Sequence, residues 1–120
     1  MATDNYTLLI TRVLNGDYTL ERKFQADVIA LARMHGWKVD YTPKTKGVLN
    51  LDAGFADLRL MHFERGLIMV RECKIRTRKL NPEQATWRNV ALANGWDWQV
   101  WRSHEGHHIV KELNGTYDRT

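Results

Sequence analysis

The chain has 120 residues, of which 43% are hydrophobic and 27% charged, and a formal net charge of +4. That length and mixture fit one globular domain, residues 1–120, and exclude a disordered or low-complexity chain. No run comes near the roughly 18 apolar residues a membrane span needs, and Met1-Ala2-Thr3-Asp4-Asn5 lacks the basic start and apolar core of a signal peptide. Cys73 is the only cysteine. The expectation is a soluble, cytoplasmic protein from a reducing compartment, with no intrachain disulfide and no membrane partner.

Residues 1–18 form an N-terminal arm whose run Tyr6 to Leu14 reads equally as a strand or a helical turn, and Asn15-Gly16-Asp17 signals a turn. From Thr19 to His35 the apolar period becomes helical. Leu20, Phe24, Val28, Leu31 and Ala32 share a face, Thr19 is the expected N-cap and Gly36 the stop. Glu21 and Gln25 lie one turn apart on its flank. Glu21 has two readings, a favourable charge at the helix N-terminus or a member of a site.

Trp37 to Tyr41 alternates apolar and polar, which predicts a strand with Trp37, Val39 and Tyr41 inward. A polar loop, Thr42 to Asn50, follows and carries Lys44 and Lys46, placed to contact a substrate. Gly54 to Leu60 and the run ending Val70-Arg71-Glu72-Cys73-Lys74 flank the turn Glu64-Arg65-Gly66 and predict an antiparallel hairpin. Centred on Arg65, it sets Asp57 opposite Cys73. Asp57, Glu72 and Lys74 then gather at one end, with Glu72 and Lys74 on one face because side chains alternate with period two.

Five cations, Arg71, Lys74, Arg76, Arg78 and Lys79, fall within nine residues there. They read as a solvated loop or as a phosphate-binding rim, and the acidic cluster beside them favours the rim. Asn81-Pro82-Glu83-Gln84 opens a second helix with an N-cap, a proline at the first position and a capping-box glutamine. Ala85, Trp87, Val90, Leu92 and Ala93 give it apolar bulk, Arg88 adds a cation, and Asn94-Gly95 ends it. Trp96 to Trp101 alternates as a strand, with Trp96, Trp98 and Val100 on the core side and Asp97, Gln99 and Trp101 on the other. A short helix around Ile109, Val110 and Leu113 completes the tail, residues 103–120. The order predicts an α/β architecture with a mixed sheet of about four strands flanked by helices.

Two carboxylates are the minimal protein set for Mg²⁺ or Mn²⁺, which otherwise takes water and substrate phosphates. Asp57, Glu72 and the backbone carbonyl of Cys73 supply such a set, and Lys74 can orient a water or offset charge on a phosphate. The competing reading is a salt bridge from Glu72 to Lys74 or Arg59. His104-Glu105-Gly106-His107-His108 formally matches a zinc-protease motif, but Gly106 weakens the helix this needs and no later histidine supplies a third ligand. A solvated, DNA-facing histidine cluster is the better reading. Trp37, Trp96 and Trp98 are expected in the core rather than stacked on bases, and Trp87 and Trp101 are expected to be more open.

Gly54-Phe55-Ala56-Asp57-Leu58, Glu72-Cys73-Lys74 and Leu80-Asn81-Pro82-Glu83-Gln84-Ala85-Thr86-Trp87 together resemble the PD-(D/E)xK nuclease signature, and more narrowly its VRR-NUC branch. The resemblance runs from Glu21-x-x-Phe24-Gln25 through Gly36-Trp37 to Val100-Trp101-Arg102, about two-thirds of the chain, within a core at 19–102. It departs at Ala56, where the family usually has proline, and at Cys73, where it has leucine or valine. The resemblance implies a restriction-endonuclease-like core. Asp57 and Glu72 would be metal ligands, with Glu21 a further one, Lys74 the catalytic lysine and Gln84 the glutamine that closes the site. It also implies Mg²⁺- or Mn²⁺-dependent hydrolysis of DNA, branched substrates such as Holliday junctions, and a homodimer like the stand-alone phage resolvases of this branch. Arg71, Arg76, Arg78, Lys79, Lys44, Lys46 and Arg88 are then the candidate DNA contacts. The alternatives are a flap- or single-strand-directed or nicking nuclease, and a non-catalytic DNA-binding protein on a nuclease fold.

Overall fold

The computed structural model describes residues 4–43 and 54–115. Asp4 starts the chain's first helix, α1 (Asn5–Asn15), by accepting the Thr7 amide at 2.7 Å, and Gly16 ends it in the left-handed region. The β-branched residues Thr7, Ile10, Thr11 and Val13 dilute helix propensity and hide this helix in the sequence. Capping and the burial of Leu9 and Val13 decide it. Helix α2 (Glu21–Met34) is capped by Leu20 without a side-chain bond, so Thr19 is not its N-cap. Phe24, Val28, Leu31 and Ala32 are fully buried as the period predicts, whereas Leu20, at the frayed start, is exposed. Arg12 and the Tyr18 hydroxyl both donate to Asp27, tying α1 to α2. Burial pushes Asp27 towards the neutral form, but these bonds win and hold its carboxyl below the usual range.

Four strands follow: β1 (Lys38–Tyr41), β2 (Leu58–His62), β3 (Leu67–Lys74) and β4 (Trp98–Arg102), in spatial order β1-β2-β3-β4. The first two pairings are antiparallel and β3–β4 is parallel, across helix α3 (Pro82–Ala93). Helix α4 (Gly106–Asn114) follows a 3-10 turn over Ser103–Glu105. Among the described residues the architecture is mixed α/β, a four-stranded mixed sheet flanked by four helices. No helix among the described residues is long and apolar enough to cross a membrane.

The two sheet faces are covered unequally. Phe24, Leu31, Trp37, Leu58, Leu60, Met69, Cys73, Trp101 and Ile109 belong to one large core under α1, α2 and α4. The Trp37 indole donates to the Leu113 carbonyl at 2.9 Å and locks α4 down. Gly106 is the first residue of α4 and so does not interrupt it, and its missing Cβ lets the helix start lie against the Val13 carbonyl. The second face holds a small cluster of Ala56, Val70, Ala91 and Trp98 under α3.

Several expected orientations change. Tyr41 is 44% exposed, because β1 is an edge strand. Trp96 is also 44% exposed: its amide bonds back to Ala91 in the turn that ends α3, so it never enters β4. Trp101 is fully buried instead of open, because its side of β4 faces the large core, where the indole donates to Glu112 at 3.0 Å.

Candidate active site

The β2–β3 hairpin turns through Phe63–Gly66 and pairs Leu58 with Arg71 and His62 with Leu67. Its centre falls between Glu64 and Arg65 rather than on Arg65. This half-step puts Asp57 level with Glu72, not Cys73, and such a slip changes which face a residue meets.

Asp57 and Glu72 are both buried and meet directly. The Asp57 amide donates to Glu72 Oε1 at 3.3 Å, and the Cys73 amide donates to Asp57 Oδ2 at 2.9 Å. Lys74 is 7% exposed and leaves the strand on the same face as Glu72. Gln84 arrives from α3: its side-chain amide donates to Glu72 Oε2 at 3.0 Å. The same glutamine completes the capping box with Asn81, accepting from the Asn81 amide at 2.9 Å while its own amide binds the Asn81 side chain at 2.8 Å. One side chain therefore both starts α3 and orients a buried carboxylate. Gly54, at φ 90°, lets the segment leading to Asp57 lie against the Glu83 backbone, where a Cβ would not fit.

Neither salt bridge offered by the sequence forms. Arg59 turns to Asp40 at 2.8 Å and to the Ala56 carbonyl at 2.7 Å, and no hydrogen bond or ion pair among the described residues engages the Lys74 ammonium. Glu21, in the first turn of α2, pairs with Arg78 at 3.1 Å, so the first helix reaches the basic loop that follows Lys74. Gln25 is buried and donates to the Thr42 carbonyl at 2.9 Å, bracing the end of β1.

The basic rim is only partly as expected. Arg76, Arg78 and Lys79 are exposed. Arg102, a residue the sequence reading left without a role, donates to the carbonyls of Arg76 (2.9 Å) and Arg78 (2.7 Å) and fixes the loop. Its position level with Lys74 on the neighbouring strand is a signal that only the strand pairing supplies. Arg88 is half-buried on α3 and bonds Asn89. Arg71 is not a DNA contact: alternation turns it to the large core, where it is fully buried against Glu112 (3.1 Å) and Asp97 (3.0 Å). Lys44 and Lys46 lie outside the described residues.

Among the described residues there is no group of three or more His, Cys, Asp or Glu side chains able to hold a metal. The two carboxylates that the hairpin brings together are Asp57 and Glu72, with Cys73 between Glu72 and Lys74. Hard oxygen donors in that number suit Mg²⁺ or Mn²⁺ completed by water and phosphate. In the histidine cluster, His104 stands in the 3-10 turn and His108 in α4, so one helix does not present both. His104 and His107 are exposed, and His108 is spent on Gln99 and Glu112. No protein-family model, curated protein or solved structure matches the chain.

Proposed function

We propose that the protein is a metal-dependent DNA endonuclease with a PD-(D/E)xK core of the VRR-NUC type, hydrolysing phosphodiesters in branched DNA. The observation that supports this reading is the hydrogen-bonded contact of Asp57 with Glu72 at one end of β2–β3, with Gln84 bonded to Glu72 and Lys74 buried on the same strand face as Glu72. A bound Mg²⁺ or Mn²⁺ would supply Lewis acidity and lower the pKa of its water. Asp57 and Glu72 would hold the ion, and the Gln84 amide orients the Glu72 carboxylate. Lys74 orients the attacking water and offsets charge on the phosphoryl oxygens, an effect strengthened where water is scarce. Arg76, Arg78 and Lys79 hold the DNA backbone, and Glu21 meets that rim through Arg78. A two-fold dimer would supply two such sites for symmetric cutting. The buried lone thiol of Cys73 is consistent with a reducing cytoplasm.

The test is cleavage of four-way junction, flap, duplex and single-stranded DNA by wild type and Lys74→Ala, with and without Mg²⁺. The wild type should cut only with metal, and Lys74→Ala should lose about 10²–10³-fold in rate. Metal-independent cutting, or full activity in the variant, refutes the mechanism. Paired nicks on junctions support a resolvase, whereas preferential cutting of flaps or linear strands rejects the branched-junction assignment.

A further inference from the structure

Next to the carboxylates, on the sheet face that α3 leaves open, lies a cavity of about 510 Å³. Its walls are Phe55, Arg59, Ile68, Val70, Trp96 and Asp97. Val70 precedes Glu72 by two residues on the same strand and face, which is about 6.6 Å along the strand. Phe55 likewise precedes Asp57 by two. The cavity is thus about one nucleotide's reach from the candidate cleavage position.

Its chemistry is aromatic and fixed in place. Phe55 packs edge-on against Trp87 with ring centroids 4.4 Å apart, and the Arg59 guanidinium lies 5.1 Å from the Phe55 centroid. Arg59 is itself held by Asp40 and by the Ala56 carbonyl, directly before Asp57. Across the cavity, Trp96 is displaced from the core by the turn that ends α3 and presents an exposed indole. Aromatic and apolar walls with an arginine and a carboxylate at the edge suit a planar heterocycle with polar edges. Arg59 and Asp97 are paired with Asp40 and Arg71 respectively, and bring charge to the rim of the cavity. Enzymes that act at unpaired nucleotides hold the extruded base between such side chains, and base–aromatic stacking tolerates any sequence.

We infer that this cavity is a subsite for one unpaired nucleobase beside the scissile phosphate, with Trp96 as its stacking platform. The inference rests on the nuclease reading and deepens it. A continuous duplex keeps its bases stacked and does not fill the subsite, whereas a branch point or single strand does. Selection for unpaired DNA would then be built into the cleavage face itself.

The experiment measures binding in EDTA, so that no cleavage is needed. A fluorescent single strand of about twelve nucleotides is compared with its abasic counterpart, for wild type, Trp96→Ala and Trp96→Phe. Wild type should prefer the base-bearing strand by about tenfold or more, Trp96→Ala should lose that preference while keeping its affinity for the abasic strand, and Trp96→Phe should restore most of it. Equal binding of both strands by wild type, or a preference that survives Trp96→Ala, overturns the subsite. A Trp96→Ala protein that keeps the preference but passes from dimer to monomer in sedimentation assigns the cavity to a second copy instead. Base-selective binding without metal-dependent cleavage leaves the subsite standing and breaks the nuclease reading. Cleavage without base selectivity does the reverse, and binding neither strand overturns both.

Discussion

Two neighbours on β3 show how differently the two sheet faces are used. Arg71 and Glu72 are both fully buried charges, yet they point to opposite sides. Arg71 enters the thick core and meets a carboxylate, Glu112, which also accepts the Trp101 indole at 3.0 Å and is approached by His108 at 3.1 Å. Glu72 enters the thin face and meets a second acid, Asp57, together with the Gln84 amide. The first arrangement neutralises charge to hold the fold. The second brings two carboxylates together at one end of the sheet, bonded to the Asp57, Cys73 and Gln84 amides rather than to an opposite charge that the fold requires.

The comparison is sharpest in a matched pair of substitutions. Glu112→Gln should be the more damaging to the fold, by about 3 kcal/mol in urea denaturation, because it leaves the Arg71 guanidinium buried with only the half-exposed Asp97 as counter-charge. A loss below about 1 kcal/mol would mean that this pair does not anchor the core face. Glu72→Gln should leave stability within about 1 kcal/mol of wild type or raise it, while lowering cleavage at least about 100-fold. If it unfolds the protein as Glu112→Gln does, the contrast between the faces fails.

A smaller effect comes from the helical side. His35 joins α2 to α1 through the Tyr6 hydroxyl at 3.0 Å, and burial, followed by the nearby Arg65 charge, lowers its pKa below the ordinary 6.5. The unfolded chain therefore binds that proton more readily than the folded one. This contribution is present above pH 6.5 and is lost as pH falls from there through the folded value. Wild type should lose thermal stability over that window more steeply than His35→Phe. Parallel melting curves for the two proteins would remove His35 from the account.

How much was legible varies by element. The second and third helices, the hairpin and the final strand follow from period, capping and turn residues. Asn81-Pro82-x-Gln84 needs only local chemistry to start a helix, and it does so with both capping bonds. α1 was ambiguous because its β-branched residues suit either structure and its cap, Asp4, reaches only three residues ahead. Within the candidate site, Asp57, Glu72 and Lys74 could be named from sequence, since the hairpin turn and acid-x-lysine on a strand gather them, whereas Gln84 entered the site only through the family resemblance. The fates of Arg71, Trp96 and Trp101 could not be read, because Arg71 and Trp101 depend on α4 bringing Glu112 to their side of the sheet and Trp96 on where the turn after α3 ends.

The sequence by itself determined the kinds of groups available and their local facing: two acids, a lysine and a glutamine on elements with defined period. Tertiary structure alone decided that Asp57 stands level with Glu72, that Arg71 belongs to the core and that Trp96 stands clear of it. The reason is physical. Periodicity is a short-range property of the backbone, whereas register and burial are set by turn length and by which helix lies across each face.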